Sequence, residues 1–186
     1  GLRTKGGCFF GSLMLNFLGP DGEALALYEM CNAPLPAAHS FIDCRYAVRG
    51  FHLVEIMVAA GPKKGILVSF MGHRLIALEG NIQGYKTFYK QTASIIDVKF
   101  VGANKSSVEN AGSVHHIAFS VSDASQGKIR QKLIERGYNV TGIKDRSYFK
   151  AVYFHTEECL FLRLPPIRPG SLLMSLSKKG KKFMPA

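Results

Sequence analysis

Ser113-Val114-His115-His116-Ile117-Ala118-Phe119-Ser120-Val121 opens the segment from which the whole chain is most readily understood, and that segment runs on to Leu164. Val114, Ile117, Phe119 and Val121 are β-branched or aromatic and suit a strand. Ser122-Asp123 follows as an N-cap pair. Ala124, Ile129, Leu133 and Ile134 then share roughly one helical face, and Gly137 stops the helix. Tyr138 to Ile143, Lys150 to Phe154 and Leu160 to Leu164 read as three further short strands. The order is strand, helix, strand, strand, strand. Two adjacent histidines sit on its first strand, Tyr153 on its third and Arg163 on its last.

The same order occurs once more upstream. Arg49 to Val58 reads as a strand, Gly61-Pro62 breaks it, and Lys63 to Met71 supplies a short helix ending near Gly72. His73 to Leu78, Gly84 to Tyr89 and Ser94 to Phe100 follow as strands. In this alignment His52 matches His115, and Leu53 stands where the later segment has His116. Nearer the N-terminus, Phe9 to Phe17 and Ala24 to Met30 read as two strands around the turn Gly19-Pro20-Asp21-Gly22. Phe10 to Leu15 parallels Phe149 to Phe154, so this looks like the end of a third, incomplete copy. The expected organisation is residues 1–48 as final strands of an incomplete module plus a linker, 49–109 and 110–168 as βαβββ modules, and 169–186 as a basic extension, mobile or helix-forming.

Composition narrows the classes. A chain of 186 residues with 47% hydrophobic and 20% charged residues suits a globular fold with a real core. No apolar run approaches the ~20 residues of a membrane span. Cys8, Cys31, Cys44 and Cys159 form no Cys-x-x-Cys pair, which points to a reducing compartment and a cytoplasmic location. The formal charge of +11 would attract anions, but part of it lies in Lys178-Lys179-Gly180-Lys181-Lys182. Zinc-finger spacing and RNA-binding aromatic signatures are absent, so nucleic acid is a minor alternative to a plainly basic surface.

Val-His-His-Ile-Ala-Phe followed by Asp145-Arg146-x-Tyr148-Phe149-x-x-x-Tyr153-Phe154 resembles the vicinal-oxygen-chelate superfamily, and within it the hydroquinone-type ring-cleaving dioxygenases. The resemblance is specific in this segment and runs more weakly from about Cys8 to Pro169. It implies an α+β fold of paired βαβββ modules whose mixed sheets curve into cups. It also implies a site in which the second histidine, here His116, binds iron or manganese and a glutamate on the last strand completes the set. In this chain the glutamate position holds Arg163, and the first module, which supplies the other histidine in these relatives, is missing. A guanidinium has no lone pair to offer a metal and repels it. His115, Arg146 and Tyr153 match pocket positions of the relatives. With Arg163 they would make a cationic pocket for a carboxylate, phosphate or phenolate.

The expectation is therefore a dioxygenase-like protein with a degraded metal site, no cofactor, and a small anionic or aromatic ligand. The alternative is an iron- or manganese-dependent dioxygenase or glyoxalase-type enzyme completed by a partner chain. Self-association is expected as well, because the incomplete module lacks the strand and helix that would cover its sheet.

Overall fold

The computed structural model describes residues 5–9, 11–30, 41–59, 65, 68, 70–87, 94–102, 114–119, 121–145, 147, 150–156, 161–164 and 172–176, the last two segments by backbone only. Strands dominate, and they form three sheets. The first is an antiparallel sheet of β1 (Lys5–Phe9), β2 (Ser12–Leu18) and β3 (Ala24–Tyr28). The second holds β4 (Leu53–Val58), β5 (His73–Glu79), β6 (Ile82–Thr87) and β7 (Ile95–Phe100) in the order β4-β7-β6-β5. Its first and last strands lie side by side in parallel, while the other pairs are antiparallel.

The third sheet repeats that arrangement with one strand added. It contains β8 (Val114–Phe119), β9 (Lys144–Asp145), β10 (Lys150–His155), β11 (Phe161–Leu164) and β12 (Leu172–Leu176) in the order β12-β8-β11-β10-β9. The helix α1 (Asp123–Glu135) connects β8 to the rest. In both larger sheets the opening strand pairs in parallel with the closing one. That is the mixed α+β pattern the repeated sequence order predicts.

Four details differ from the sequence reading, each for a local reason. Phe9 to Phe17 is two strands, because Gly11 takes φ +79° and turns β1 back along β2. The strand expected over Tyr138 to Ile143 reduces to one bridge, Val140 with Phe154, and the short β9. Thr141 instead links to Tyr153 by its backbone N–H donating to the Tyr153 carbonyl at 2.9 Å and its hydroxyl accepting from the Tyr153 N–H at 3.1 Å. Leu172 to Leu176 is a strand in place of a mobile or helical tail. It pairs antiparallel with β8, whose outer backbone groups would otherwise have no ladder partner. Ser122 stands at the N-cap, but its hydroxyl donates to Ser125 Oγ at 2.7 Å and caps no backbone N–H. The short helix read over Lys63 to Met71 lies largely outside the described residues.

α1 ends as its glycine predicts. Gly137, at φ +85°, donates to the Ile134 carbonyl at 2.8 Å, and the Tyr138 N–H reaches the Leu133 carbonyl at 3.1 Å. The helix buries Leu133 against Ile117, Val152 and Phe154, with Ile129 packed beside them. This cluster continues into Val54, Ile56, Val58, Ile96 and Val98 of the second sheet. One apolar core thus joins the two larger sheets, and it uses one face of each.

Candidate functional site

Strand periodicity decides what the other face carries. On the third sheet Ile117, Val152 and Phe154 face the helix, so His116, Ala118, Ala151 and Tyr153 lie on the opposite side. All four are buried, His116 and Tyr153 at 8% exposure each. The register brings the last strand into the same group. Arg163 pairs with Tyr153 on one side and with Ala118 on the other, which assigns its position to the His116 face. Ser175 of β12 is paired with His116 itself. On the helix side of the sheet Gln126 of α1, also buried, donates to the Lys150 carbonyl at 3.1 Å and ties the helix to the start of β10. The sequence reading therefore has His116, Tyr153 and the Arg163 position on one face. The side chains of His115 and Arg163, and the whole of Arg146, lie outside the described residues.

The second sheet has a corresponding face, with different chemistry. Val54, Ile56, Ile96 and Val98 point into the core. Glu55, Asp97 and Gly84 lie side by side on the other side, since Asp97 pairs with both of the others. Asp97 is 1% exposed, and neither carboxylate oxygen has a hydrogen-bond partner among the described residues. Burial, reinforced by the Glu55 charge, pushes its carboxyl up to about 6. Lys99 Nζ sits 3.3 Å from Glu55 Oε1.

Tyr28 of β3 closes in on this group. Its ring lies 5.2 Å from that of His52, just before β4. Burial first, then the charges of Asp97, Glu55 and Glu79, push its hydroxyl up to about 12. His52 is shifted the other way, downward, by burial and then by the Lys86 charge. It acts as a packed ring, as expected where the repeat has Leu53 at the ligand position. Asp97 and Tyr28 were not apparent as site residues from the sequence. The available signal was one carboxylate at the centre of Ile95-Ile96-Asp97-Val98, a run otherwise fit for burial on both faces.

No family model matches the chain. Two Bacillus subtilis (strain 168) proteins provisionally named as ring-cleaving dioxygenases are similar to it. MhqO is 29% identical over 87% of this chain and 52% of its own length. MhqA is 29% identical over 92% of this chain and 54% of its own. The chain thus spans about half the length of the curated relatives it matches. Among solved structures, a provisionally named dioxygenase from the same species superposes with a TM-score of 0.78 at 24% identity, over 91% of this chain and 55% of that one. These relatives fit the vicinal-oxygen-chelate superfamily.

The superfamily's smaller members show the same fold at greater distance. The fosfomycin resistance protein FosX of Listeria monocytogenes superposes with a TM-score of 0.53 at 13% identity, over 65% of this chain and 95% of that one. Members of the vicinal-oxygen-chelate superfamily use metal ions, yet among the described residues no three His, Cys, Asp or Glu side chains come together as ligands. Nor is any described helix long and apolar enough to cross a membrane.

Proposed function

We propose that this chain is a dioxygenase-like protein with a degraded metal site, whose His116 face holds a small anionic or aromatic ligand without metal chemistry of its own. The observation that supports the proposal is the register of β11, in which the backbone at Arg163 pairs with Tyr153 on one side and with Ala118 on the other. A metal held by an imidazole needs further lone pairs, and vicinal-oxygen-chelate chemistry takes one of them from a carboxylate on the last strand. An arginine there supplies five N–H donors and a permanent positive charge instead. Among the described residues no three His, Cys, Asp or Glu side chains come together as they would around an iron or manganese ion. Donors and positive charge beside a tyrosine hydroxyl suit a carboxylate or phenolate through charge-assisted bonds.

A second reading has one observation in its favour. The similarity to the dioxygenases covers about half of their length, so an active enzyme would draw its missing ligands from elsewhere, such as a partner chain. Metal analysis separates the two. Protein purified without chelator is expected to carry iron and manganese far below one per chain, and Arg163→Glu is expected to add weak binding at most. Stoichiometric metal in the unmodified protein, lost on His116→Ala, would overturn the proposal and favour the dioxygenase.

Self-association belongs to the same reading. Leu13, Leu15, Leu25 and Leu27 all lie exposed on β2 and β3, and cross-strand pairing groups them on one face. A second copy would remove this apolar patch from water. Sedimentation equilibrium is expected to give a mass above that of one chain, with Leu15→Lys and Leu27→Lys together returning it to a monomer. A folded monomer at high concentration would contradict this.

A further inference from the structure

The His116 face leaves Asp97 without a role. Among the described residues it is the least exposed charged side chain, and both its oxygens lack a hydrogen-bond partner there. A buried carboxylate in that state is costly, and a natural fold rarely keeps one without use. Gly84, its neighbour on β6, has no side chain to put beside it.

Glu55 is matched by Lys99 at 3.3 Å and the charge of Lys86 acts on His52, while among the described residues no donor reaches Asp97 itself. No three ligating side chains converge for a divalent ion among the described residues. The rings of Tyr28 and His52, 5.2 Å apart, stand at the β3 side. Aromatic faces attract an organic cation, while an alkali ion gains more from oxygen ligands. Glu55, with 38% of its side chain exposed, marks the side open to solvent.

We infer that this face of the β4–β7 sheet binds a small molecule bearing a primary ammonium group, with Asp97 accepting its N–H bonds, Tyr28 beside it, and its tail leaving past Glu55. The inference stands apart from the reading of the His116 face, and the two fail separately.

The test is an NMR titration of the full chain with n-butylammonium chloride, with n-butanol and potassium chloride as comparison titrants. Saturable shifts are expected at the amides of Asp97, Gly84 and Glu55 with the amine, and not with the alcohol or the salt. Asp97→Asn keeps the shape and removes the charge, and should weaken amine binding by about tenfold or more, the scale of one charge-assisted bond. His116→Ala should leave it unchanged. Equal response to butanol or to potassium, unaltered affinity in Asp97→Asn, or absence of saturation in a wild-type protein shown to be folded by the same spectra would each overturn the inference.

Discussion

Between pH 4 and pH 6 the wild-type protein is expected to lose about 2 kcal/mol of stability that Asp97→Asn does not lose. The Asp97 carboxyl has its ordinary value of 3.8 when unfolded and about 6 in the fold. In the interval the folded chain holds a proton that the unfolded chain has released, so stability falls as pH rises. Above about 6 both states are ionised and the deficit stays constant. Below about 4 both are protonated and it vanishes. The two values differ by roughly two pH units at about 1.4 kcal/mol each, which sets an upper limit near 3 kcal/mol, and screening on the Glu55 side brings the figure nearer 2.

Other groups on this face titrate too, and the comparison of two proteins removes most of their effect. Tyr28, at about 12, stays protonated throughout the interval. His52 is lowered by burial and by Lys86, so its contribution runs the opposite way and is lost as pH falls, but it is common to both proteins. Glu55 acts on Asp97 directly, and Glu55→Gln should make the loss smaller and end it at a lower pH, its onset staying near the unfolded value. Urea midpoints at each pH unit from 4 to 8 check all of this. Parallel curves for wild type and Asp97→Asn would show that burial does not hold the carboxyl protonated through this interval.

Much of the fold was legible because period-two patterns are strong in the central strands. Val54, Ile56 and Val58 alternate with Glu55 and Met57, and the strand stands where the pattern puts it. The repeated order implied mixed sheets, while the parallel pairing of opening and closing strands came from the structure. What escaped was local or long-range. Gly11 could have been a strand glycine or a turn, and only its partner β1 makes it a turn. Leu172 to Leu176 is apolar enough for a strand, but its role depends on an open edge of β8 more than fifty residues upstream in the chain. The His116 face was legible because His116, Tyr153 and Arg163 sit in a dense motif. The Asp97 face was not, since its parts come from β3, β4, β6 and β7, and no short pattern joins Tyr28 to Asp97.

Phe154→Ala should cost about 3–5 kcal/mol of stability, more than the loss expected on removing any exposed side chain. Phe154 is 1% exposed and lies in the core with Ile117, Leu133 and Val152. Its ring meets Tyr138 edge-on at 5.8 Å, and its backbone carries the single bridge to Val140. A domain is typically stable by only 5–15 kcal/mol, so a cavity of this size removes a large share. Phe154→Leu keeps most of the volume and should cost nearer 1.5 kcal/mol. Leu13→Ala, on an exposed face, should cost about 0.5 kcal/mol or less. Denaturant midpoints with an unchanged slope would establish the ranking, and a Phe154→Ala loss no greater than that of Leu13→Ala would mean this part of the core is not packed as described. The consequence reaches the other side of the sheet. Phe154 and Tyr153 are adjacent on β10 and point to opposite faces, so the packing under Phe154 also holds Tyr153 in register with the Arg163 position. At temperatures where Phe154→Ala is still folded, any ligand of the His116 face should therefore bind it more weakly than wild type, although the substitution touches nothing on that face.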